Sequence, residues 1–296
     1  MVSNTLGAAS DPASTDLIPR IGVVSFVNTL PLIDGLEVLA NVEWRHSVPS
    51  GLIDRLLSRE VDLALCSSID YQRSPEPLVI VPCGILGCDG PTLTVRLYAS
   101  KPIHTLSRVY CDTDSHTSVV LMRILLREIY GVDPAIIDYD AREHVAGNRP
   151  VEWPEAMLLI GDKVVTDSPP AVRYPHQLDL GAAWANLTGL PFIFAAWMAR
   201  ADTPVERYAA AAMALDRQRR ANTLRLEWLV QTRAAPRGWP VDLARTYLGE
   251  YLSYEWTDPR RAGMEMFFAK AKEHDFIDAL RGVEVVDFAR RSRHAR

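Results

Sequence analysis

The sequence predicts an α/β protein with two lobes and a ligand cleft between them. Short apolar runs rich in β-branched residues alternate with segments of helical spacing, as in parallel sheets. Several of these runs end in Ser, Asn, Thr, Gly or Asp. Since open α/β sheets bind ligands at the carboxyl ends of their strands, these polar strand ends predict a site in the cleft. A chain of 296 residues is long enough for two lobes.

The stretch from Ile21 to Leu32 is the clearest of these units. It begins as a buried strand, continues through Ser25 to Asn28, and reaches a helix start at Pro31. A side-chain amide both donates and accepts hydrogen bonds but has no usable proton affinity, so Asn28 is suited to hold a substrate group in place.

The next unit repeats the pattern. Residues 50–58 have the apolar spacing of a helix behind a serine cap, and residues 61–66 form a buried strand. The strand runs directly into Ser67 and Ser68, which places two hydroxyl groups at the same predicted sheet edge as Asn28.

A short strand over residues 109–112 leads into a hydroxyl-rich loop before a helix over residues 119–130, which stops at Gly131. Free backbone N–H groups and hydroxyls at a helix N-terminus form a ready anion site. The same residues are also what an ordinary well-capped helix requires, and the sequence favours that simpler interpretation. The hydroxyl residues concerned are Ser115, Thr117 and Ser118.

A further buried strand over residues 155–160 ends in Gly161 and Asp162. A glycine at this position allows a ligand to approach the backbone closely. Asp179 stands before another helix, where an N-cap role is favoured over a ligand role. The aromatic residues that follow have the spacing of core residues and are assigned to the core. They are Trp184, Phe192 and Trp197.

The predicted organisation begins with a disordered leader over residues 1–19, which lacks the basic and apolar regions of a signal peptide. Lobe 1 is assigned residues 20–98 and lobe 2 residues 99–199. The chain therefore crosses near Ala99–Pro102 and near Ala196–Ala201. Residues 200–296 return to lobe 1 as helices over residues 203–233, 242–254 and 257–274.

Composition excludes several classes of partner. A net charge of -5 gives no reason to expect nucleic acid or an anionic membrane, and no run of apolar residues is long enough to span a bilayer. The four cysteines show no metal spacing and are expected to be buried free thiols, and the histidines are scattered. We therefore predict no metal, a small-molecule substrate and a cytoplasmic location. The sequence does not report the oligomeric state.

The motifs in order resemble the chorismate dehydratase family of the futalosine pathway of menaquinone biosynthesis. The similarity covers most of residues 20–288, and only the ordered set of blocks is specific. Its strongest block is residues 179–192, and Tyr254 belongs to a later one. The other blocks are Ile21–Leu32, Asp62–Ser68, Asp112–Ser118 and Leu159–Asp162.

The resemblance implies a type-2 periplasmic-binding-protein-like fold. It also implies a hydro-lyase activity that needs no cofactor and converts chorismate to 3-[(1-carboxyvinyl)oxy]benzoate. Asn28 would be the catalytic residue. Binding of the substrate would fall to Ser25, Ser67, Ser68, Thr94, Ser115, Thr117, Ser118, Gly161 and Asp162.

Two positions depart from the family pattern. Thr94 stands for a serine and keeps its hydroxyl, whereas His116 stands for an arginine and loses a permanent charge that could have paired a carboxylate.

Three alternatives stay open. The related dihydroxynaphthoate synthase shares the fold, but its Ser-Pro-x-Pro-Asn-Asp opening is absent at residues 25–30. A solute-binding protein for a small carboxylate would need an export signal, and the effector domain of a regulator would need an attached DNA-binding segment. The proton acceptor is also open, either the enolpyruvyl carboxylate of the substrate or Asp162.

Overall fold

The computed structural model describes residues 18–38, 41–112, 114–139 and 153–288. The predicted leader, apart from residues 18 and 19, lies outside the described residues. The structure contains two β-sheets, one of six strands and one of five, each with helices against it. The helices are Leu30–Ile33, Leu52–Leu57, Asp70–Arg73, His116–Tyr130, Lys163–Thr166, Leu180–Thr188, Ala209–Leu224, Leu226–Leu229, Val241–Thr246 and Asp258–Glu273.

The first sheet has the strand order β11-β4-β10-β3-β1-β2. The strand–helix–strand units pair in parallel, β1 with both β2 and β3, as the alternation predicted. Strand β10 runs antiparallel to β3 and β4, because it enters this sheet from the second lobe. The strands are β1 (Arg20–Val23), β2 (Glu43–His46), β3 (Leu63–Ser67), β4 (Leu78–Cys88), β10 (Phe192–Arg200) and β11 (Leu252–Ser253).

The second sheet has the order β7-β6-β8-β5-β9. Strand β6 pairs in parallel with β7 and β8, while β5 runs antiparallel to β8 and β9. The strands are β5 (Val95–Ala99), β6 (Arg108–Asp112), β7 (Ala135–Tyr139), β8 (Ala156–Ile160) and β9 (His176–Asp179).

The lobe boundaries differ from those predicted. Strand β5 belongs to the second sheet and β10 to the first, so the chain crosses between Cys88 and Val95 and again between Thr188 and Phe192. Both crossing strands are almost entirely buried. Their apolar character therefore does not reveal which sheet they join. The turns that contain Pro91 and Pro191 mark the true crossings.

The C-terminal part is helical, as predicted, but it is divided into shorter pieces. The expected helix over residues 203–233 is a 3₁₀ turn at Val205–Arg207, then Ala209–Leu224, Leu226–Leu229 and a π-helix at Val230–Ala234. The segment 242–254 is a helix that continues as a second π-helix and ends in β11.

The core is continuous across both lobes. Trp184, Phe192 and Phe267 pack edge to face, and the indole of Trp184 donates to the carbonyl oxygen of Pro191 at 3.1 Å. The core assignment of Trp184, Phe192 and Trp197 is confirmed. All four cysteines are free and buried, as expected.

Candidate active site

A cavity lies where the carboxyl ends of β1, β3 and β8 meet the strands that cross between the lobes. It has an empty volume of about 600 Å³, including the part that is open to solvent. Residues from both lobes line it, and their side chains are apolar or carry uncharged polar groups. No charged side chain lines it within the described residues. The predicted site residues that line it are Asn28, Ser67, Thr94, Ser115, Ser118 and Gly161.

The structure places the other four predicted residues outside the cavity lining. Ser25 is exposed, and its hydroxyl pairs with His46 Nδ1 at 2.8 Å. The hydroxyl of Ser68 donates to the carbonyl oxygen of Ile193 at 2.7 Å. The hydroxyl of Thr117 accepts from the backbone N–H of Ile69 at 3.1 Å, which ties the two lobes together.

Asp162, the fourth of these residues, holds the opening segment in place. Both of its carboxylate oxygens accept from the backbone N–H of Val27 at 3.2 Å. Burial raises the pKa of this carboxyl group above its usual value, although the bond from Val27 opposes the change. The side chain therefore contacts the residue before Asn28 across the cleft, at the first residue of the 3₁₀ turn Val27–Thr29.

Gly161 brings the second lobe close to the first. Its φ of 70° lies in the left-handed region, and a Cβ atom there would lie 3.5 Å from the ring of Phe26. Phe26 also lines the cavity. Its ring and the glycine backbone form one wall of the cavity, and the approach of a ligand to this backbone stays a prediction.

Three polar side chains converge at another wall. The hydroxyls of Thr94 and Tyr247 are 2.6 Å apart. Burial raises the pKa of Tyr247 far above its usual value, against the opposing hydrogen bonds from Thr94 and Asn28. Asn28 is 8% exposed, and its Oδ1 has no hydrogen-bond partner among the described residues. A buried amide oxygen in that state costs about 1–3 kcal/mol unless a ligand or water donates to it.

Sequence reasoning missed Tyr247. It begins the π-helix Tyr247–Tyr251, a helix type that is rare and often found at functional sites. The sequence carries no clear signal for it, because its neighbours have ordinary helical spacing and the nearest motif noted was the block around Tyr254.

The N-terminus of helix His116–Tyr130 borders the cavity. Ser115 is its N-cap and accepts from the N–H of Ser118 at 3.2 Å, while its hydroxyl donates to that of Ser118 at 2.8 Å. The capping prediction is therefore confirmed. Ser115 and Ser118 therefore form the helix cap and also line the cavity.

His116 points away from the cavity. Its Nδ1 lies 2.8 Å from Oδ1 of Asp70 in the first lobe. The hydrogen bond to this carboxylate raises the pKa of His116, and burial opposes the shift. The position at which the family pattern has an arginine is therefore occupied in this chain by a histidine that contacts the other lobe and lies outside the cavity lining.

Two further charged groups hold the loops around the cavity. Lys163 pairs with Asp112 and with Asp114, at 3.1 Å from the latter, beneath the ends of β6 and β8. Asp179 caps helix Leu180–Thr188, as predicted, and its Oδ2 also accepts from the N–H of Leu93 at 2.7 Å. Leu93 has a φ of 59°, so this bond helps to hold a strained residue beside Thr94.

A family model described as menaquinone biosynthesis matches residues 19–273. The chain belongs to this family. A chorismate dehydratase of Thermus thermophilus is 31% identical over 266 residues, which cover 83% of this chain and 93% of the relative. A chorismate dehydratase of Campylobacter jejuni is 22% identical over 259 residues, 85% of this chain and 96% of the relative.

Solved structures confirm the expected fold of this menaquinone-biosynthesis family member. The Archaeoglobus fulgidus protein AF1704 matches with a TM-score of 0.68 and 16% identity, over 88% of this chain and 98% of that one. The periplasmic aliphatic sulphonate binding protein of Escherichia coli matches with a TM-score of 0.59 and 16% identity, over 88% and 94%. The chain therefore has the two-lobed periplasmic-binding-protein-like fold. None of the helices in the described ranges could cross a membrane.

Proposed function

We propose that this protein is a hydro-lyase that converts chorismate to 3-[(1-carboxyvinyl)oxy]benzoate, the first step of futalosine-dependent menaquinone biosynthesis. The names of the two relatives and the family match support this reaction. The cavity suits it because it combines an apolar surface for a ring with hydroxyl and amide groups for carboxylates and a hydroxyl.

The observation that carries the proposal is the unsatisfied Oδ1 of Asn28. An amide oxygen needs a donor, and the C4 hydroxyl of chorismate is one. The amide nitrogen has two N–H groups, of which one can serve a substrate carboxylate while the other faces Tyr247. Asn28 would therefore hold both reacting parts of the substrate at once.

The reaction removes the hydrogen at C3 and the hydroxyl at C4 and leaves an aromatic ring. The cavity lining within the described residues contains no His, Lys, Asp or Glu to take the C3 proton. We assign that role to the carboxylate of the substrate's own enolpyruvyl group, oriented by Asn28. Positioning of the substrate would then supply much of the rate acceleration, and closure of the two lobes would keep water out of the cavity.

The rival base is Asp162. Its carboxylate is occupied by the N–H of Val27 and lies outside the cavity lining, which disfavours it. Replacement by Asn keeps an oxygen acceptor for Val27, so an Asp162→Asn variant should retain kcat within about tenfold of wild type. Loss of a general base costs about 10²–10⁴-fold, so a thousandfold loss of kcat would instead identify Asp162 as the base.

The first experiment is incubation of the purified protein with chorismate, with product followed by ultraviolet absorbance and mass spectrometry. A product lighter by one water supports the proposal. Asn28→Ala should lose about 10²–10³-fold in kcat/KM, since an oriented hydrogen bond to the reacting groups is removed. Ser25→Ala is the matched control, because its exposed side chain lies outside the cavity lining, and it should behave as wild type.

A binding protein for a small carboxylate is the second candidate, favoured by the fold that this chain shares with the sulphonate binding protein. Chorismate that returns unchanged but raises the melting temperature would support it and overturn the lyase proposal.

A further inference from the structure

The reaction proposed above needs a proton for the hydroxyl that departs from C4, and this inference rests on that proposed function. We propose that Tyr247 supplies this proton, with Thr94 as the group that positions and polarises its hydroxyl. Tyr247 lies outside the sequence motifs of the family.

The geometry places Tyr247 at the reacting end of the cavity. Its side chain lines the cavity together with that of Asn28, and its hydroxyl lies 2.6 Å from that of Thr94. Either hydroxyl of this pair can donate; we assign the donation to Thr94, which leaves the phenol O–H to donate into the cavity. The Oδ1 of Asn28, which would accept from the C4 hydroxyl, belongs to the same cluster.

Tyr247 carries the intrinsically most acidic hydroxyl of the described cavity lining. The other hydroxyl groups of the cavity lining within the described ranges belong to Ser and Thr. A phenol has an ordinary pKa of about 10, well below that of an aliphatic alcohol. A hydrogen bond from Thr94 to the phenol oxygen stabilises the phenolate that forms transiently as the Tyr247 proton moves. Burial at the same time keeps the phenol protonated at the pH of the cell.

The step balances without a cofactor or an oxidant. The enolpyruvyl carboxylate takes the proton from C3, the C3–H electron pair forms the new ring double bond, and the C4–O bond breaks. The departing hydroxide takes the proton of Tyr247 and leaves as water. The phenolate then recovers a proton from the enolpyruvyl carboxylic acid, directly or through that water, so that enzyme and product return to their original charge states.

The test compares Tyr247→Phe with Tyr254→Phe. Tyr254 is the matched control because its hydroxyl is buried nearby, has no hydrogen-bond partner among the described residues, and lies outside the cavity lining. Loss of general acid assistance costs about 10²–10⁴-fold. We therefore expect kcat to fall about 10²–10³-fold for Tyr247→Phe with little change in KM, and Tyr254→Phe to keep the wild-type kcat.

Affinity for the product separates a chemical role from a structural one. The product has no C4 oxygen, so Tyr247→Phe should bind it as wild type does in calorimetry. A variant with 3-fluorotyrosine at position 247 keeps the hydroxyl and should stay close to wild type in kcat. Product affinity lost in parallel with kcat would overturn the inference and identify a purely structural hydroxyl.

The outcomes also separate this inference from the proposed function. If wild type dehydrates chorismate and Tyr247→Phe does so at a similar rate, only the role of Tyr247 is wrong. If wild type does not act on chorismate, the proposed function fails and the inference fails with it.

Discussion

The cavity and the groups that surround it differ sharply in charge. The described lining carries hydroxyls, an amide and apolar groups, whereas the ion pairs of Lys163 and the carboxylates of Asp162 and Asp179 lie just outside it. Each of these charged groups contacts either another charge or the backbone of a cavity loop. The charges therefore hold the loops, and neutral groups line the cavity.

This division of charge suits the proposed substrate, which has two carboxylates, and a reaction in which one of those carboxylates acts as the base. Neutral donors bind a carboxylate without a formal counter-charge that would lower its basicity, which matters if a substrate carboxylate is the base. Charged groups buried outside the cavity give rigidity when each of them has a partner.

The largest effect on stability is expected for Lys163→Met. Lys163 is 11% exposed in its side chain and faces Asp112 and Asp114, which are 1% and 4% exposed. Removal of the cation takes away the ion-pair partner of the buried Asp112 and one partner of Asp114, a change that costs about 3–5 kcal/mol. Thermal unfolding should show a fall in Tm of at least about 6 °C for a chain of this size.

Lys101→Met is the control for that experiment. Lys101 pairs with Glu155 at 2.9 Å, but the two side chains are 32% and 57% exposed, so the free energy of unfolding should change by less than about 1 kcal/mol. Equal Tm values for the two variants would mean that the buried ion pairs do not stabilise the loops.

The next largest effect is expected when a charge is placed in the neutral cavity. Ser67 lines the cavity at the end of β3, so Ser67→Asp would put a carboxylate beside a dianionic substrate. Like charges in a closed site repel, and we expect kcat/KM to fall at least about a hundredfold, or about 2.7 kcal/mol. Ser67→Asn has the same size without the charge and should lose much less. Similar losses in both variants would attribute the effect to bulk.

The sequence was sufficient for the fold class and for much of this cavity. Asn28, Ser67 and Gly161 were predicted from strand ends, which meet at one edge in parallel units. Gly161 follows β8, Ser67 is the last residue of β3, and Asn28 lies in the 3₁₀ turn after β1. Ser115 was found because its N-cap role is local. Each of these signals lies within a few residues of the residue that it predicts.

The remaining features depend on contacts between distant segments. Tyr247 approaches Thr94 across 153 positions, and Asp162 approaches Val27 across 135. A strand-end rule places Asp162 near the cavity, but it does not determine whether the side chain turns to a ligand or to a backbone N–H. The lobe boundaries were wrong for a related reason, since a buried strand has the same composition in either sheet.

The smallest effect concerns the contact between His116 and Asp70. The hydrogen bond to Asp70 raises the pKa of His116 above 6.5, so the folded protein binds this proton more tightly than the unfolded chain does. Its stabilisation is fully present below pH 6.5 and is lost as pH rises through the folded pKa. Because His116 is 39% exposed in its side chain, the change should stay below about 1 kcal/mol, or a few degrees in Tm.

Tm measured from pH 6 to 9 should therefore fall more for wild type than for His116→Gln, which keeps a hydrogen bond to Asp70 but does not titrate. Parallel curves for the two proteins would show that the proton on His116 does not hold the lobes together.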